Sequence, residues 1–107
     1  MNAVEIEQAI TDLAEKPFDS VEFPYAFLEA FGNKATTIKR LRIGESNKSD
    51  LGGVLQTNNI HILTCDEGKV PQALAALKGS PANSKARTKF ILATDGIDFE
   101  AEELRKV

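Results

Sequence analysis

One cysteine, one histidine and no tryptophan stand among 107 residues, and each scarcity closes off some chemistry. With Cys65 alone there is no intramolecular disulfide and no all-cysteine metal site. With His61 as the only imidazole, a structural zinc would need carboxylates to fill its shell, a donor set such sites seldom use. No apolar run approaches the ~20 residues of a membrane span. Met1–Gln8 carries two Glu and no Lys or Arg, unlike a secretory leader, so the chain reads as cytoplasmic with no membrane partner. Gly52-Gly53 lacks the Lys and Ser/Thr of a phosphate loop and the spacing of a dinucleotide fingerprint. A net charge of −3 excludes a protein that is basic all over.

The charge that is present is segregated. Lys34, Lys39, Arg40, Arg42 and Lys48 face one acid, Glu45, within a single stretch, and Lys85, Arg87 and Lys89 form a smaller second cluster. Acids gather at the ends, in Glu5–Glu15 and Asp95–Glu103. Such a distribution fits one anion-facing side, with a merely solvated basic helix face as the competing reading. The length makes one domain the natural unit, residues 1–107, and at 42% hydrophobic and 27% charged it has the make-up of a globular fold.

Val4–Glu15 has Ile6, Ile10 and Leu13 on one helical stripe, flanked by Ala3 and Ala14, with Asn2 placed to cap it and Pro17 beyond its end. Phe18–Phe31 holds five of the seven aromatic residues; Pro24 suits the first turn of a helix there and Gly32 its stop, and an aromatic stripe at helical spacing reads as core, with a binding platform as the alternative. Asn33 is placed to cap a third helix through Ile43, ended by Gly44, with Ile38 and Leu41 inward. Gly52-Gly53 reads as a flexible break. Val54–Gln56 and Ile60–Cys65 make a hairpin or one bulged strand. Val70–Lys78 is a helix with Pro71 in its first turn, Ser80–Ala86 a loop, and Phe90–Thr94 a buried strand. Asp95-Gly96 signals a hairpin into the alternating segment Ile97–Leu104. The expected fold is α/β, a small mixed β-sheet flanked by helices.

The chemical inventory is thin. His61 lies in an apolar run and, on a strand, points opposite to Ile60 and Ile62; it is either a general base in want of a nucleophile or a half-buried, hydrogen-bonded histidine. Cys65 has no basic neighbour to lower its pKa. Glu29, Asp50 and the polar residues of the next strand follow the layout of a metal-dependent nuclease, in which an Asp is followed ~10 residues later by Glu-x-Lys, so that carboxylates hold Mg²⁺ and a water is activated. The corresponding stretch, Asn58-Asn59-Ile60-His61-Ile62, has neither the Glu nor the Lys.

Four stretches carry a family resemblance: Phe27–Gly32, Thr36–Leu41, Asn47–Gln56 and Lys89–Gly96. In order and spacing they resemble the N-terminal region of the MmeI-like, type IIL restriction–modification enzymes, large single-chain DNA methyltransferases, and the similarity runs from about Ala3 to Leu104. The resemblance implies a restriction-endonuclease-like core with a degenerate Asp…Glu-x-Lys signature, at the front of a longer chain with a helical spacer, an S-adenosylmethionine-dependent adenine-N6 methyltransferase domain and a target-recognition domain. It implies Asp50 as the first metal-binding Asp, Glu29 in the matching aromatic helix, and His61 where catalytic residues would stand. Asp50, Glu29 and His61 are therefore the candidate catalytic residues, Asp50 and Glu29 the candidate metal ligands, and the three are expected to face one another across a shallow cleft. Lys34, Lys39, Arg40, Arg42 and Lys48 are the candidate DNA contacts. The Asn-Pro-Pro-Tyr that holds a flipped adenine is absent, so S-adenosylmethionine is expected only in the parent chain, and Mg²⁺ only if cleavage survives. The partners implied are duplex DNA and the downstream domains; the alternative is a non-catalytic module that docks on those domains or on a partner subunit.

Overall fold

The computed structural model of the chain describes residues 2–104. Helix α1 spans Ala3–Ala14, and Asn2 caps it as its spacing suggests: the backbone there is extended and the side-chain oxygen accepts the Glu5 N–H at 2.9 Å. Ile6 and Ala9 are buried, with Ile10 and Leu13 packed beside them. The Ala3 side chain, expected to flank this stripe, lies outside the described set.

Helix α2, Phe23–Ala30, takes Pro24 in its first turn, where a missing N–H costs nothing. Phe27 and Leu28 are fully buried. Successive tilted ring contacts join Phe18 to Phe23 at 5.7 Å, Phe23 to Phe27 at 6.0 Å and Phe27 to Phe31 at 5.0 Å, with Phe99 5.6 Å from Phe23. The aromatic stripe is core. Helix α3, Ala35–Arg42, buries Ile38 and Leu41 and exposes Lys39, Arg40 and Arg42. Its N-cap is Lys34 rather than Asn33. The Asn33 amide instead donates to Leu28 O at 2.9 Å and its oxygen accepts from Gln56 at 2.9 Å, tying the end of α2 to the sheet.

Strands β1 (Val54–Leu55) and β2 (Ile60–Thr64) form an antiparallel hairpin. Helix α4 (Val70–Lys78) carries the chain to β3 (Phe90–Thr94), parallel to β2, and β4 (Phe99–Glu103) returns antiparallel to β3. The order β1-β2-β3-β4 makes a four-stranded open mixed sheet. Ile97 belongs to the turn, so β4 begins two residues later than alternation suggests. The Ser80–Ala86 stretch is not a plain loop: it holds a short helix, α5, Ala82–Lys85.

Strand alternation divides two apolar layers. Ile60, Ile62, Phe90 and Leu92 pack with α1, α2 and Leu41, whereas Ile91, Ala93 and Leu63 pack with Val70, Ala73 and Leu77 of α4. β3 is buried along its whole length because helices cover both faces. No helix among the described residues is long and apolar enough to cross a membrane.

Candidate functional site

On the α4–α5 side of the sheet lies a polar cluster centred on His61, which is fully buried rather than half-buried. The loop before β1 supplies one side of it. Asn47 Oδ1 accepts the N–H groups of Ser49 at 3.0 Å and Leu55 at 2.9 Å, while its amide donates to Gly53 O at 2.9 Å. Ser49 Oγ accepts the N–H groups of Leu51 at 3.3 Å and Gly53 at 3.1 Å and lies 2.7 Å from His61 Nε2. With both lone pairs engaged, the hydroxyl has its hydrogen left to donate to Nε2. His61 then carries its proton on Nδ1 and donates to Asn83 Oδ1 at 2.9 Å. The Asn83 amide donates onward to Leu77 O at 2.6 Å.

Burial pushes the His61 pKa below its usual value, against the opposing pull of the Asn83 bond and the Asp50 charge. Asp50 itself is exposed, and its Oδ1 accepts the Ser80 hydroxyl at 2.6 Å. That bond is the main cause that lowers its carboxyl pKa, with the nearby imidazole a smaller one. Asp50 and His61 thus lie near enough for each charge to act on the other.

Ser49, His61 and Asn83 stand in the order nucleophile, base and orienting group. The arrangement serves packing instead: His61 is fully buried, and the Ser49 oxygen is held in its turn by the N–H groups of Leu51 and Gly53. The cluster is a brace. Ser49, Ser80 and Asn83 went unnoticed in the sequence because their types are common in loops; the one available signal was Asn47-x-Ser49, a pairing suited to side chain–backbone turns.

Glu29 is not part of this group. It is exposed on α2 and lines a separate hollow with Asn33, Ile38, Lys39 and Arg42, so the expected three-residue cleft does not form. The positions ten and twelve residues after Asp50 are Ile60 and Ile62, fully buried under α1 and α2 on the face opposite His61. Among the described residues no three His, Cys, Asp or Glu side chains converge on a metal-sized space. One exposed carboxylate, a serine hydroxyl and a buried imidazole do not fit the oxygen-rich, near-octahedral demands of Mg²⁺. Cys65 is half-buried, its thiol donates to Thr94 O at 3.5 Å, and burial raises its pKa, in keeping with an unreactive thiol.

All five candidate DNA contacts, Lys34, Lys39, Arg40, Arg42 and Lys48, are exposed. Arg42 is engaged within the fold: Nη1 pairs with Glu22 Oε2, and the guanidinium lies 4.3 Å from the centroid of the Tyr25 ring.

Fold and site together define a small α/β domain with helices on both faces of a mixed sheet, an internal polar brace and exposed cations. The chain belongs to the MmeI N-terminal domain family, whose model matches residues 1–107, and this places it among restriction–modification proteins. No curated protein and no solved structure matches the chain.

Proposed function

We propose that this chain is the DNA-contacting, nuclease-like N-terminal domain of an adenine-specific DNA methyltransferase in a restriction–modification system, and that it holds duplex DNA through phosphates without cutting it. The observation that carries the reading is the exposed cationic side in a chain of net charge −3 that belongs to the MmeI N-terminal family. Non-cleavage is supported by Ile60 and Ile62 at the Glu-x-Lys spacing and by the separation of Glu29 from Asp50. The sheet with helices on both faces is compatible with a restriction-endonuclease-like ancestry. Methylation, and the S-adenosylmethionine it consumes, would belong to other domains of the parent.

The test is to incubate the chain with plasmid DNA and Mg²⁺ or Mn²⁺, and separately to titrate it with S-adenosylmethionine by calorimetry. No nicking and no heat of binding are expected. Mn²⁺-dependent nicking that Asp50→Ala abolishes would refute the non-cleaving reading, and micromolar cofactor binding would refute the division of labour. A docking role has one observation in its favour: an open groove between α1 and the edge strand β4, floored by Ile6, Ile10, Phe90 and Phe99.

A further inference from the structure

We infer that the phosphate contact is centred on the tip of the β1–β2 hairpin, on a rim assembled from Arg40, Lys48 and Lys85, and not along the outer face of α3. The inference rests on the DNA-contact reading and says where that contact is made. In sequence, Lys85 belongs to a separate, smaller basic cluster. The fold joins the two clusters at the hairpin tip. Lys48 N–H donates to Leu55 O on β1 at 3.1 Å, Asn58 N–H at the tip donates to Ala86 O at 2.8 Å, and Lys89 N–H donates to Asn59 O at 2.8 Å.

Two adjoining hollows share Thr57. One is lined by Lys48, Thr57 and Lys85 with Ala82 and Ala86; the other includes Arg40, Ser46 and Gln56. Neither has an acidic residue in its lining. Two other cations of α3 are less available: Arg42 is held by Glu22 and Tyr25, and Lys39 shares its hollow with Glu29. The nearest acid along the chain, Asp50, two residues beyond Lys48, is turned to the Ser80 hydroxyl at 2.6 Å; it and Glu45 are exposed and line neither hollow. Asn58 adopts a φ of 62°, a left-handed conformation that asparagine tolerates, and the bond to Ala86 pins it. The rim is therefore set before any ligand arrives, which lowers the ordering cost of binding.

The experiment measures affinity for a duplex of arbitrary sequence across a salt series, using wild type, R40A/K48A/K85A and the control K34A/K39A. Each phosphate contact contributes ~0.9 to the slope of log affinity against log salt, so the rim variant should lose up to about 2.7 of slope and the control little. The single variant K85E, with its unfolding midpoint checked, should also bind more weakly if the rim is right. A rim variant and K85E that bind like wild type, with the loss falling on K34A/K39A, would overturn the rim while leaving DNA contact standing. Wild type that shows no salt-dependent binding would sink both.

Discussion

Gly53 is a position where the absence of a side chain decides the local structure. A Cβ there would stand 2.2 Å from Ile62 O, a backbone atom of the paired strand that has no flexible end to move aside. Gly53 thus marks a close approach between the entry to β1 and strand β2, while Gly52 before it takes a positive φ of 79° in open space. Gly53→Ala is expected to cost on the order of 1–3 kcal/mol, as overpacking does, read as a lower urea midpoint at unchanged slope. Thr88 presents the opposite case. It is buried at 2% exposure, and its hydroxyl has no hydrogen-bond partner. Thr88→Val replaces that hydroxyl with a methyl group of similar size, and stability should rise by about 1 kcal/mol in the same measurement.

At the scale of elements, the loop before β1 and helix α5 are far apart in sequence and meet through one imidazole. Ser49→Ala leaves His61 Nε2 and the Leu51 and Gly53 N–H groups without their partner. Asn83→Ala leaves His61 Nδ1 without its acceptor, while Leu77 O keeps the Ser80 N–H at 3.2 Å. Each should cost about 1–3 kcal/mol, the usual penalty of a buried group left unsatisfied. Because both act on the same ring, their combined cost should fall short of the sum by at least ~0.5 kcal/mol. A denaturant double-mutant cycle measures this, and strict additivity would mean that loop and helix are held independently. The salt bridge between Lys78 of α4 and Glu102 of β4, 3.0 Å long and about half exposed, is a lesser tie of the ~0–1 kcal/mol surface kind.

For the whole molecule, the buried imidazole makes stability depend on pH. His61 has its folded pKa lowered from 6.5 by burial, so the folded state binds this proton less readily than the unfolded chain. The contribution is present in full above the unfolded pKa and is lost as pH falls below about 6.5 toward the folded value. Asp50, also lowered, adds a second loss in the same direction, but only as pH falls below its ordinary value of 3.8. The urea midpoint should therefore drop between pH 7 and pH 5, before carboxylates titrate. As His61 is the only histidine, its ring signals in an NMR titration are unambiguous. They should show an Nδ1–H tautomer and a midpoint below 6.5; a midpoint at or above 6.5 would contradict the buried, neutral ring.

Periodicity and punctuation determined most of the elements. The Ile6–Leu13 stripe, Pro24 and Pro71 at helix starts, and the unbroken apolar run Phe90–Thr94 each encode local structure in a few neighbouring residues, and α4 and β3 fall within the expected bounds. Helix α5, of four residues, is too short to show a period, and the choice of Lys34 over Asn33 as a cap depended on what Asn33 could reach on α2 and at Gln56, just after β1. The candidate site was legible only in part. Asp50 lies near enough to His61 to act on its charge, but the alternation of β2 places Ile60 and Ile62 on one face and His61 on the other, so Glu29 on α2 is left apart. Which partners His61 acquires, and which two basic clusters share a rim, follow from contacts between residues distant in the chain. Side-chain type says what a group can bond to; only the packing of helices on both faces of the sheet decides which groups come within 3 Å.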